Sequence, residues 1–244
     1  MQFAVIDSMV GNSPINLTLL PDTTEKIPTG TIITANDNYW GCGEFVYARA
    51  TASIRMGGVV TIAPVWDSTA GRFRTDATEI ANTANLGTNV AVALSPFTTG
   101  QFGWFMITGI CPVNSNASVA VGAVAGIAAT GQAGANSAGK QLLNTKGVAT
   151  SATTSVKANC QAPQGSLRLL TPNAEGWFIG AYLSGTGIAA GTTVVQIDAD
   201  GRTVTLSAAT TAVVNGTVTA TYNNGTVHYN VMHLNRPFAQ GAIT

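Results

Sequence analysis

The hydrophobic pattern is densest between Gln101 and Gly139. In Gln101-Phe-Gly-Trp-Phe-Met-Ile-Thr-Gly109, Phe102, Trp104 and Met106 share one parity and Phe105 and Ile107 the other. Side chains alternate across a strand, so this run predicts a strand that is apolar on both faces and covered on both. A break is expected at Pro112 and Asn114, followed by a second strand over Val119–Ile127. There Val119, Val121 and Ile127 fall on one side, and Ala120, Gly122, Gly126 and Ala128 on the other. A face this flat suits close approach of another backbone, which makes Gly122 and Gly126 candidates for subunit packing.

Shorter alternating runs flank this core. Phe45, Tyr47 and Arg49 alternate with Val46, Ala48 and Ala50; Gly58–Ala63 and Val90–Leu94 read as further strands. Residues 67–88 are polar, and Asp76–Leu86 is the best helical candidate. Beyond Gly176 the texture becomes a series of hairpins. Thr193–Ile197 and Thr203–Ser207 flank Asp200-Gly201, and Asn215-Gly216 and Asn224-Gly225 open two more strands; such dipeptides between alternating runs are hairpin signals. The expected class is therefore all-β, a barrel or sandwich core with little helix. Four segments follow: an extended N-terminal arm (1–36), a core β domain (37–162), a second β module or insertion (163–232) and a polar C-terminal tail (233–244). Pro14, Pro21 and Pro28 exclude a helix from the arm.

Composition narrows the function classes. Charged residues make up 9% of the chain, about a third of the usual share. Such a surface is either covered by Thr, Ser and Asn or buried against partners, and the second is favoured. Eleven basic and eleven acidic residues are dispersed along the chain, with no basic stripe for nucleic acid. Cys42, Cys111 and Cys160 are odd in number and unpaired in spacing, which fits a reducing compartment better than a disulfide framework or a zinc site. The apolar run 117–131 is shorter than the roughly 20 residues a bilayer helix needs. The start, Met-Gln-Phe-Ala-Val-Ile-Asp7, lacks the basic region of a signal peptide.

Candidate chemistry is sparse. Gly134-Ala-Asn-Ser-Ala-Gly139-Lys140 matches GxxxxGK, but Gln141 stands where a phosphate loop needs Ser or Thr. Asp198 and Asp200 open like a calcium loop without its distal Glu, and a hairpin turn accounts for both. His228 and His233 are five apart, hence on opposite faces of a strand. Ser13 and Cys111 lack the surroundings of activated nucleophiles. No catalytic, cofactor-binding or metal-ligating residue is assigned. The four tryptophans read as core or interface residues.

Gly43-Glu-Phe-Val-Tyr-Ala-Arg-Ala50, Gly100-Gln-Phe-Gly-Trp-Phe-Met-Ile-Thr-Gly109, Ala138-Gly-Lys140 and Leu234-Asn-Arg-Pro-Phe238 together resemble capsid decoration (cement) proteins of tailed bacteriophages. Leu183–Val195 with Thr203–Ser207 looks like a β module common in phage virion and tail proteins. The resemblance covers about half the chain. It implies a non-enzymatic, often homotrimeric subunit on the capsid exterior that bridges major capsid protein subunits, without cofactor, nucleic acid or membrane. On that expectation the arm and the tail lie on adjacent subunits, with Leu17, Leu19, Leu20 and Phe238 at interfaces. Attachment through uncharged contacts would then depend little on salt. The alternative is a tail spike- or fibre-associated module that binds host glycan, using an exposed aromatic near carboxylates.

Overall fold

The computed structural model describes residues 4–5 and 20–242. Among these residues there are strands and no helix, arranged in two sheets. The larger sheet contains a closed ring of five strands: β3 (Gly41–Ala50), β4 (Val59–Asp67), β5 (Arg72–Glu79), β6 (Leu86–Ala93) and β7 (Phe102–Ser115). β3 pairs with β5 in parallel and with β7 antiparallel, β5 pairs with β4, β4 with β6, and β6 with β7. Closure follows from the double-faced pattern of these segments. Val46, Ala48, Ala50, Val60, Ala77, Ala91, Ala93 and Phe105 point into the barrel and are buried. Five of those eight are alanine, as a narrow five-stranded ring demands. Phe97 stacks on Phe105 with centroids 4.7 Å apart and bridges Ile54, closing one end.

The opposite parity faces a second core. Phe45, Tyr47, Val90, Val92, Trp104 and Met106 lie in one continuous cluster with the inner face of the smaller sheet. The double coverage expected of Phe102–Ile107 is thus present, with the barrel interior on one side and the inter-sheet core on the other. β3 and β7 approach closely where they cross: at Gly109 (φ +118°) a Cβ would stand 2.8 Å from the Cys42 carbonyl oxygen and 3.0 Å from Gly43 Cα.

β17 (His228–Gly241) enters where β6 and β7 splay apart. It pairs first with β7, from His228 opposite Ser115 to Asn235 opposite Thr108, and then with β6 at Phe238–Gly241. β10 (Leu142–Ala149) lies along its other edge. The larger sheet is completed by β8 (Ala125–Ala129) and β9 (Gln132–Ala135) beyond β7, and by β2 (Ile32–Asp37) and β1 (Ala4–Val5) beyond β3.

The smaller sheet is antiparallel and runs in the order β13 (Tyr182–Ser184), β16 (Val214–Thr221), β11 (Thr154–Ala162), β12 (Arg168–Leu170), β15 (Thr203–Leu206), β14 (Val194–Ile197). Its inner face carries Leu169, Leu183, Val194, Val204, Leu206, Val218 and Ala220, all buried. Trp40 from the β2–β3 turn meets Phe178 and Tyr222, and Phe178 meets Tyr229 of β17, at centroid distances of 5.1 to 6.5 Å.

Several expectations are corrected. Asp76–Leu86 is not helical: its first residues finish β5, where Arg74 and Asp76 share a face at strand spacing. β7 does not break at Pro112, which stands opposite Val231 of β17. Strand over 119–127 is confined to β8, and Val121 is 66% exposed while Val119 and Ile127 are buried. The second module is an insertion over 154–222 between β10 and β17, not 163–232. The C-terminal tail is no free tail, because 233–241 belongs to β17 in the middle of the larger sheet. Pro237 is tolerated at the irregularity beside Arg236 (φ +48°), where the ladder to β10 skips from Leu234 to Phe238. The described parts of the arm lie on their own domain. β2 pairs with β3, Asp22 bridges Phe102, and the Tyr47 hydroxyl donates to Asp22 Oδ2 at 3.0 Å.

Candidate interaction surface

β4 and β5 leave the barrel as a two-stranded ribbon. β4 is paired on both edges only over Val59–Thr61, and β5 meets β3 only at Asp76 and Ala77. Residues 62–75 therefore form a projecting hairpin, and Pro64 is accepted there because β4 has one neighbour. Isolated two-stranded ribbons are marginal in water, so local bonds must stiffen this one.

At the turn, Asp67 Oδ1 accepts from the amides of Thr69 (3.0 Å) and Ala70 (3.1 Å), and Gly71 N–H donates to the Asp67 carbonyl at 2.8 Å. The Ala70 amide and then the Arg74 guanidinium hold the Asp67 carboxyl below its ordinary range, against the opposing effect of desolvation. Arg74 spans Asp76 (Nε to Oδ1, 2.9 Å) and Asp67. Arg72 pairs with Glu25, and Thr75 N–H donates to Thr29 Oγ1 at 2.9 Å, which ties the ribbon to the 22–31 loop.

Cross-strand register separates the two faces. Val65 opposes Arg74 and Asp67 opposes Arg72 on the charged face, while Trp66 opposes Phe73 on the other. These rings meet edge-to-face with centroids 5.1 Å apart. Trp66 is 55% exposed and Phe73 73%, the latter the most exposed large hydrophobic side chain among the described residues. Trp40, Trp104 and Trp177 are buried. Trp66 alone of the four tryptophans is offered to solvent, on a rigid support.

The residues named from sequence are dispersed. Leu17 and Leu19 lie outside the described residues, and Leu20 is exposed. A Cβ at Gly126 would meet Asn136 Cα at 2.8 Å and the Ala135 carbonyl at 2.9 Å, so this glycine serves close packing within its own chain. Gly122 is exposed with open space around it. Phe238 is half-buried in its own sheet, opposite Asn89 and Leu143. Sequence reasoning singled out neither Phe73 nor Arg74 for a surface role. The signal available was Trp66-Asp67 and Gly71-Arg-Phe73 flanking the three residues Ser68-Thr-Ala70.

The remaining motifs have structural explanations. Lys140 Nζ donates to Asn82 at 2.9 Å, and Asp200 caps the β14–β15 turn by accepting from Arg202 and Thr203 amides. Burial pushes the Cys111 thiol up, far from thiolate formation. Comparison with family models, curated proteins and solved structures finds no match.

Proposed function

We propose that this chain is a non-enzymatic structural subunit of a phage virion, a decoration protein on the capsid exterior that bridges major capsid protein subunits and associates with itself, as a homotrimer. The observation that supports this reading best is the Trp66–Phe73 hairpin. It is a solvated aromatic pair on a ribbon stiffened by ion pairs, the kind of anchor that dominates interface energetics. Acidic side chains that elsewhere populate active sites are engaged in tying strands together: Glu44 with Arg236, Glu79 with Arg55, Asp67 and Asp76 with Arg74. Saturable co-sedimentation with expanded, empty phage shells tests the proposal, and failure to bind them at any stoichiometry overturns it.

A second reading, a host-glycan module of a tail spike or fibre, draws on the same place, since Trp66 is an exposed aromatic beside Asp67. Asp67 is, however, committed to the turn amides and Arg74. Saturable binding to a host polysaccharide, with none to shells, favours this second reading.

A further inference from the structure

Where the β2–β3 turn meets the loops of the smaller sheet lies a cavity of about 230 Å³, walled by three turns. Each turn is fixed by its own side-chain bonds. Asp37 Oδ1 accepts from the amides of Tyr39 and Trp40, both at 2.8 Å. Asn173 Oδ1 accepts from Lys157 Nζ at 2.7 Å and from the Glu175 amide at 3.3 Å. Asp200 Oδ1 accepts from the amides of Arg202 and Thr203 at 2.8 and 2.9 Å, and its Oδ2 from the Thr203 hydroxyl at 2.8 Å. Each stiffened turn contributes one uncommitted polar side chain to the lining. Asn38, Glu175 and Arg202 are exposed, and none of these side chains has a hydrogen-bond or ion-pair partner among the described residues. An amide, a carboxylate and a guanidinium thus line one cavity, with Glu175 and Arg202 not paired to each other. Tyr39 runs along the rim. It follows Asn38 in the chain, is 48% exposed, and its ring lies against Gly176, where an added Cβ would stand 2.9 Å from the Tyr39 Cζ.

We propose that this cavity binds one ring of a neutral carbohydrate. The inference goes beyond the decoration reading and does not depend on it, and it concerns a place other than the Trp66 hairpin. A hydroxyl both donates and accepts. Neighbouring hydroxyls of one sugar ring can therefore donate to Glu175 and accept from Arg202, with the Asn38 amide serving either role, while the apolar face of the ring covers Tyr39. An anion is disfavoured, because the lining carboxylates of Asp37, Glu175 and Asp200 outnumber the Arg202 guanidinium. A metal ion is disfavoured too. The Asp37 and Asp200 carboxylates are engaged by turn amides, and among the described residues no three His, Cys, Asp or Glu side chains are grouped to hold one. The volume lies below the roughly 300–1,000 Å³ of pockets for drug-sized ligands, so a single ring fits and an extended chain does not.

The isolated protein is titrated with the methyl glycosides of glucose, galactose, mannose and N-acetylglucosamine, and separately with free L-alanine and with calcium chloride. The backbone amide NMR signals of 37–40, 173–176 and 198–203 are followed. A saturable response to at least one glycoside is expected, in the millimolar range for so small a ligand. Glu175→Ala and Arg202→Gln should each weaken it about tenfold or more, the usual result of removing a hydrogen bond to a charged group. Trp66→Ala should leave it unchanged. No saturable response to any of the glycosides, or a stronger response to alanine or to calcium, overturns the proposal. An unchanged response in either cavity variant, or a loss in W66A that matches theirs, overturns it as well, since the sugar then binds elsewhere. Both altered side chains are exposed and support no other residue, so thermal unfolding of E175A and R202Q should match that of the unaltered protein.

Discussion

Phe105→Ala probes the closed ring directly. Phe105 has no exposed surface, points into the barrel and stacks on Phe97 with an interplanar angle of 18°. Truncating a buried phenylalanine costs roughly 3–5 kcal/mol, depending on how far the surroundings collapse into the space. Collapse is poor here. Apart from Phe97 and Ile54 at one end, the neighbours are Ala48, Ala50, Ala91 and Ala93 on hydrogen-bonded strands, together with Val46 and Val60, and none of these smaller side chains can extend into the gap. The lost stack adds about 0.5–1.5 kcal/mol, which places the expected loss in the upper half of that range, about 4–5 kcal/mol. Equilibrium denaturation in urea reads it as a lower midpoint with an unchanged slope. A dry apolar cavity also takes up a small aromatic molecule, so benzene should restore part of the lost stability in F105A and do nothing for the unaltered protein. A loss below about 2 kcal/mol, or no benzene effect, would refute the packed-barrel argument.

Three further outcomes follow from the same geometry. Trp66→Ala should leave the unfolding midpoint nearly unchanged, because more than half of its surface is already in solvent, while weakening shell attachment by about 30-fold or more, the roughly 2 kcal/mol of a central aromatic anchor; titration of shells with both proteins measures the ratio. Gly126→Ala should destabilise the monomer by about 1–3 kcal/mol through overpacking against the Asn136 and Ala135 backbone, with subunit mass by light scattering unaltered. The Glu44 carboxyl is held below its ordinary value of 4.5, first by the hydrogen bond from Arg236 and then by that from Thr108. A depressed folded pKa means that this stabilisation is full above about pH 4.5 and vanishes as pH falls through the lower folded value. Glu44→Gln should therefore lose up to about 1 kcal/mol at neutral pH and almost nothing at strongly acid pH, read from denaturation at both.

Alternation made the barrel legible where a segment alternates two apolar sets. Phe45 and Tyr47 against Val46 and Ala48, and Trp104 and Met106 against Phe105 and Ile107, sort onto the two cores as their parity predicts. What alternation does not encode is which strand pairs with which. The parallel pairing of β3 with β5 and the closure of β3 on β7 join residues more than twenty positions apart, and no local turn signals either. β17 was hidden for another reason. Asn230 is buried in it and donates to the Ala117 carbonyl at 2.9 Å, and Pro237 sits at its bend, so a central strand carried the polar and proline marks of a tail. Over 76–86, tertiary pairing overrode a weak helical pattern. Gly126 was recognised as a site of close approach, but the approaching backbone belongs to the same chain. The aromatic hairpin escaped because Trp66 and Phe73 become neighbours only once the turn at Asp67 folds.

The most direct test of the account is an image reconstruction of expanded shells saturated with this protein. The account predicts the tip of the β4–β5 hairpin, with Trp66 and Phe73, buried against the shell surface. A subunit bound with that hairpin directed into solvent, or no ordered density for the protein on the shell, would contradict it.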